Sequence, residues 1–180
     1  MWRKAEWVFR IMYNLIRMPI LSFFNMGKIK FSKVELIAPT AMIRVGVNGI
    51  IELGKKCMFD NGTLIRSSGG KVCIGNKVYI NRNCNIVSKE LIVIGDFVTI
   101  GPNVCIYDHD HTFGEKNISD YKTKPVIIGK NVWIGANSII LRGTIIGDNC
   151  VIGAGTVVKG IIPKNMIVIQ EKKINIKSIN

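Results

Sequence analysis

The sequence predicts an all-β fold, a parallel β-helix, on three observations: an aliphatic residue recurs every six positions, glycine follows many of those residues, and breaks in the count fall between regular runs. The aliphatic positions are Ile74, Ile80 and Ile86, then Ile94, Ile100 and Ile106, then Ile128, Ile134, Ile140, Ile146, Ile152 and Val158. Upstream, Leu53, Phe59 and Ile65 keep the same step. Ile-Gly pairs at 74–75, 94–95, 100–101, 128–129, 134–135, 146–147 and 152–153 put a turn-permissive residue after an inward-facing one. Three such units close one triangular coil. Stacked coils bury the aliphatic column, and each short strand pairs with those above and below it. An ordinary sandwich predicts irregular spacing and longer strands, which the six consecutive matches from Ile128 to Val158 argue against. Breaks between Ile65 and Ile74, Ile86 and Ile94, and Ile106 and Ile128 predict loops on the outside of the solenoid, where sites usually sit.

The chain of 180 residues is long enough for one domain with a buried core, and 48% hydrophobic against 21% charged residues excludes a disordered chain. A net charge of +13 calls for an anionic partner or serves solubility alone. Nucleic acid is the weakest such partner, because no RNA-binding signature, zinc-finger spacing or basic helix with interleaved aromatics appears. Cys57, Cys73, Cys84, Cys105 and Cys150 are odd in number and contain no C-x-x-C pair. They read as small hydrophobes in a reducing compartment rather than disulfides or a zinc site.

Residues 1–32 form a separate N-terminal segment in this reading: an amphipathic helix before Pro19, rich in Trp2, Trp7, Phe9, Met12 and Ile16. Arg10 and Arg17 interrupt every window long enough to span a bilayer, and no cleavage site follows. Two roles fit. In one, residues 1–25 lie in a membrane interface with the arginines on lipid phosphates, at the inner face of the membrane of a cytoplasmic enzyme. In the other, the helix caps the hydrophobic end of the domain or packs on a neighbouring subunit. The β-helix follows over residues 33–168, with a tail over 169–180.

The stretch IGKNVWIGANSIILRGTIIGDNCVIGAGTVVKGIIPKN resembles the hexapeptide-repeat acyltransferases, which include galactoside, maltose and polysaccharide O-acetyltransferases. The likeness covers roughly residues 53 to 165. It implies the left-handed form of the helix, an exception to the usual right-handed crossover. It also implies a homotrimer with sites between subunits, acetyl-coenzyme A as acyl donor and no required metal.

The same resemblance assigns roles. The catalytic histidine of the carbohydrate-acting members sits in the loop that breaks the repeat, here Tyr107-Asp108-His109-Asp110-His111, which holds both histidines of the chain. Transfer of an acetyl group to an alcohol needs a base for the hydroxyl proton and donors for the oxyanion, and histidine suits the first task near neutral pH. His109 matches the general base, while Asp108 and His111 are placed as supporting or substrate-binding residues. A metal held by the two imidazoles and two carboxylates would lack the third histidine that the related γ-type carbonic anhydrases use. Asn81 matches an acceptor-contacting asparagine. The family's supporting carboxylate falls on Lys89, which cannot serve, so Glu90 beside it is the substitute.

For the cofactor, the Ala136 amide matches the oxyanion donor and Trp133 the residue beside the acyl and pantetheine region. Packing between coils is the alternative for Trp133. Ala154 and Gly155 match positions where pantetheine passes close to backbone, and Lys159 and Lys164 could meet phosphates or simply be solvated. The family's adenine-contacting ending is degenerate here, as Ile169-Gln170-Glu171-Lys172-Lys173. The expected activity is O-acetylation of a sugar hydroxyl in a surface polysaccharide or its precursor, through a ternary complex. A serine or antibiotic O-acetyltransferase and a non-catalytic β-helix scaffold are the alternatives.

Overall fold

The computed structural model describes residues 2–112 and 121–171, the side chains of residues 2 and 3 excepted, so most of the expected C-terminal tail lies outside the described residues. Three parallel sheets form the faces of a left-handed triangular solenoid. Face A runs in seven strands from Ile29–Lys30 to Ile161–Ile162, face B in seven from Leu36–Ile37 to Ile167–Val168, and face C in six from Met42–Val45 to Val157–Val158. The aliphatic column lies inside: Ile74, Ile80, Ile86, Ile94, Ile100, Ile106, Ile128, Ile134, Ile140, Ile146 and Ile152 are all buried. Truncating one of them to alanine would cost about 2–5 kcal/mol in lost burial and cavity formation.

Pairing shows how the breaks in the count are absorbed. Ile128 pairs with Ile146 and Ile134 with Ile152, a full coil of three six-residue units. Ile51 pairs with Val72 and Val72 with Ile92, so the earlier coils are longer. Their extra residues gather at the corner from face C to face A, at Ser67–Gly70 and Ser88–Glu90, and the long insertion leaves from that same corner after Tyr107. At the other two corners the third turn residue has positive φ, as at Asn131, Asn149 and Asn165 between faces A and B and at Asn103 and Asn137 between faces B and C. Asparagine tolerates this left-handed conformation better than most side chains.

The helix is longer than expected. It spans Trp2–Phe24 and runs through Pro19, whose missing N–H falls on the exposed side while Met18 and Leu21 pack on the core. Its polar face is the one turned inward. Asn14 donates to the Ile37 carbonyl at 2.7 Å, Arg10 to Asp60 at 2.9 Å, and Arg17 to the Ala38 carbonyl at 3.1 Å and to that of Ala41. Arg10 and Arg17 are therefore committed to protein acceptors, which replaces the expectation that they reach lipid phosphates. The first strand, Ile29–Lys30, lies ahead of the boundary expected at residue 33, because Ile29 pairs with Ile51.

Glu35 closes the first coil. It aligns with Cys57 in the inward corner column, is buried, and accepts the N–H groups of Cys57 at 2.9 Å and Ser32 at 3.3 Å. Burial pushes its carboxyl up to about 7. Cys57, Cys84 and Cys150 are buried, Cys73 and Cys105 half-buried, and all five thiols are free. Burial, with Glu35 beside it, pushes the Cys57 thiol up to about 12, far from a reactive thiolate. Among the described residues no helix is long and apolar enough to cross a membrane.

Candidate active site

The insertion after face C opens as an antiparallel ribbon, His109–His111 against Tyr121–Thr123, with His109 opposite Thr123 and His111 opposite Tyr121. At its base lies Asp108, fully buried at the end of the corner column that Ser67 and Ser88 occupy in the coils below. Both carboxylate oxygens are fully used. Oδ1 accepts the Lys89 N–H at 2.8 Å and faces His109 Nδ1 at 2.9 Å, while Oδ2 accepts the Ser88 hydroxyl at 2.7 Å and the Glu90 N–H at 2.8 Å. A carboxylate only accepts, so Nδ1 carries the proton in this pair, and in the neutral ring Nε2 is the acceptor nitrogen.

Aromatic rings fix the imidazole further. Tyr107 and Tyr121 meet His109 edge to face at 6.0 and 5.4 Å between centroids, and the Lys89 ammonium stands 3.9 Å above the Tyr121 ring. Burial and the neighbouring Cys105 push the Tyr107 hydroxyl up to about 12. His111 packs against Tyr121 at 4.7 Å, and the Arg142 guanidinium pairs with Asp110, tying the ribbon to the next coil. Glu90 meets this cluster through its main chain, with its side chain exposed. Among the described residues no three His, Cys, Asp or Glu side chains converge as a metal site would require.

The remaining expected residues lie along other edges. Asn81 follows Tyr79–Ile80 at the corner from face B to face C, where its Oδ1 caps the Arg82 N–H at 2.8 Å. Ala136, Ala154 and Gly155 continue that corner two and three coils on. No acceptor among the described residues takes the N–H of Ala136 or Ala154. The coil below leaves room: a Cβ on Gly101 would sit 2.7 Å from the Ala136 nitrogen, and one on Gly135 2.5 Å from that of Ala154. Trp133 points out of face B, 56% exposed, with Thr99 and Val151 as its register partners on the coils to either side. Lys159 and Lys164 are exposed at the other two corners.

A cavity of about 570 Å³ that sequence reasoning missed lies between the helix and face B. Asp60 is its hub, accepting Arg10 at 2.9 Å and the Tyr79 hydroxyl at 2.7 Å, with Glu6, Trp7, Asn61 and Arg82 around it. Burial and Asp60 push the Tyr79 hydroxyl up to about 12. The one signal that could have found it is spacing, which sets Asp60 at the corner just after the face B strand Met58–Phe59 and Tyr79 in the strand of the next coil.

Fold and corner chemistry together define a left-handed β-helix with an Asp–His pair at the base of an extruded ribbon. Comparison with known proteins gives the family. The model for the hexapeptide repeat of succinyl-transferase matches residues 125–159. The galactoside O-acetyltransferase of Lactococcus lactis is 33% identical over 141 residues, 77% of this chain and 68% of that one. The putative lipopolysaccharide biosynthesis O-acetyl transferase WbbJ of Escherichia coli is 33% identical over 135 residues, 67% and 68% of the two chains. Among solved structures, AntD, an N-acyltransferase from Bacillus cereus in complex with dTDP and 3-hydroxybutyryl-CoA, superposes with a TM-score of 0.65 at 26% identity over 80% of each chain. The chain belongs to the hexapeptide-repeat acyltransferases.

Proposed function

We propose that this protein transfers an acetyl group from acetyl-coenzyme A to a sugar hydroxyl in a ternary complex, with His109 Nε2 as general base. The observation that carries the reading is the buried Asp108 carboxylate on His109 Nδ1, which holds the neutral ring in the tautomer whose basic nitrogen is Nε2. In this mechanism Nε2 removes the acceptor's hydroxyl proton as its oxygen attacks the thioester carbonyl. The resulting imidazolium is stabilised by Asp108 and returns the proton to the departing thiolate. The open Ala136 amide is the donor for the oxyanion.

Asn81 and Ala136 lie on a different edge of the triangle from His109, so a site using all three is built from two subunits. That supports the trimer the family resemblance implies: His109 of one copy would face the edge that carries Asn81, Trp133, Ala136 and Ala154 in the next. The cavity beside Asp60 opens from face B, next to Asn81, and its hydrogen-bonding groups suit a polyhydroxylated acceptor. O-acetylation is favoured by the names of the Lactococcus and Escherichia relatives, and the latter's name points to a polysaccharide precursor.

The test is titration of the purified protein with coenzyme A, then thioester hydrolysis with and without a panel of sugars, amino sugars and serine. Saturable binding with sugar-dependent release is expected. Release that depends on serine or on an amine moves the acceptor class, and absence of binding at millimolar cofactor leaves a scaffold.

A further inference from the structure

We propose that the outer face of the N-terminal helix and a neighbouring arginine groove together dock the protein on an anionic phospholipid bilayer. The helix faces the solenoid with Arg10, Asn14, Arg17 and Met18 and leaves Val8, Met12, Leu15, Ile16, Ile20 and Phe23 exposed, Ile16 by 68% and Phe23 by 79%. No charged side chain interrupts this stripe, and Met26, 80% exposed, extends the apolar surface past the helix end. An apolar face of this kind lies in the acyl–headgroup boundary of a membrane without crossing it.

At the same end a groove of about 380 Å³ is lined by Asn25, Ile43, Arg44, Val45, Gly46 and Arg66. Arg44 and Arg66 are register partners on adjacent strands. Arg44 meets the Met42 sulfur at 3.3 Å and Arg66 the Ser68 hydroxyl at 2.8 Å, and among the described residues neither meets a carboxylate. Two like charges side by side without a counter-ion lower their energy by taking up an anion, and lipid phosphates beside the helix provide one. Charge also decides between occupants. Two copies of a +13 chain apposed through this end would bring their guanidinium pairs together, whereas an anionic bilayer neutralises them.

The test is flotation of the full-length protein with phosphatidylcholine vesicles, with and without phosphatidylglycerol. The protein should float only with the anionic vesicles, and less so as salt rises. Removing both charges in Arg44→Ala/Arg66→Ala should weaken binding by roughly 30-fold, the value of two surface cations. Ile16→Asp should abolish binding with the melting temperature unchanged, since its site is exposed. Protein that stays down with anionic vesicles, or a double arginine variant that floats like the wild type, overturns the proposal. So does a lower native mass of Ile16→Asp without lipid, which would assign the face to a second copy.

Discussion

Two corners of the solenoid are built from the same six-residue unit, yet side chains close three turn amides of one, while the last two coils of the other leave theirs open among the described residues. Between faces A and B, the turn amides of Lys55, Asn76 and Lys130 donate to the side chains of Asn76, Asp96 and Asp148 one coil further on, at 2.7–2.9 Å. Between faces B and C, the corresponding position is proline at Pro102 and alanine at Ala136 and Ala154, and the alanine amides have no acceptor among the described residues. The difference rests on one side chain per turn. A carboxylate or amide stitches coils together, and a methyl group leaves a donor for something that is not protein.

The third corner carries the proposed base, His109, so the largest expected effect of any substitution lies there. His109→Ala should lower turnover by two or more orders of magnitude with the melting temperature nearly unchanged, checked by steady-state kinetics beside a thermal melt. Unchanged kcat would remove His109 from the chemistry. Next comes Ala136→Pro. Pro102 already occupies this position in the coil below, so the turn accepts the ring, and the variant loses only the open N–H. A fall in kcat of about 100-fold in a folded protein is expected, and a normal kcat would mean that this amide is not the oxyanion donor.

The closed corner should respond in stability alone. Asp148→Ala strands the Lys130 amide and should cost about 1 kcal/mol in denaturant melts with kcat unaffected. A loss of activity at intact stability would show that the two corners are not separate in function.

A pH effect belongs to the first coil, where Glu35 occupies the inward column. Its carboxyl stands at about 7 when folded against an ordinary 4.5, so between these values the folded chain holds a proton that the unfolded chain has released. The stabilisation is complete below about 4.5 and is lost as pH rises through 7, roughly 3 kcal/mol in all. Glu35→Gln should flatten stability across that window, and an equally steep profile in the variant would assign the slope to other groups.

The isoleucine column and its Ile-Gly turns were legible in the sequence because a strict count survives from Ile128 to Val158. The first coil was not. Ile29, Ile37 and Ile43 carry no Ile-Gly pair and are unevenly spaced, and only their pairing with Ile51, Phe59 and Ile65 reveals them. At the candidate site the two histidines stood out by scarcity, whereas the sequence offered both Asp108 and Glu90 as the supporting carboxylate and did not show that Asp108 is the one on Nδ1. The column Ser67, Ser88, Asp108 was present in the sequence, but coils of unequal length hide which residues stack. The helix misled for a related reason: composition gives two faces without saying which one turns inward.

The inward turn of that polar face also governs how copies of the chain meet. A solenoid presents a bare strand edge at each end, able in principle to accept the last coil of another molecule and so to grow head to tail. Here the carbonyls of Ile37, Ala38 and Ala41 at the starting edge are already taken by Asn14 and Arg17. The helix is thus a chain terminator in the polymer sense. Removing residues 1–25 should yield fibrous or high-mass species by light scattering rather than a smaller soluble enzyme.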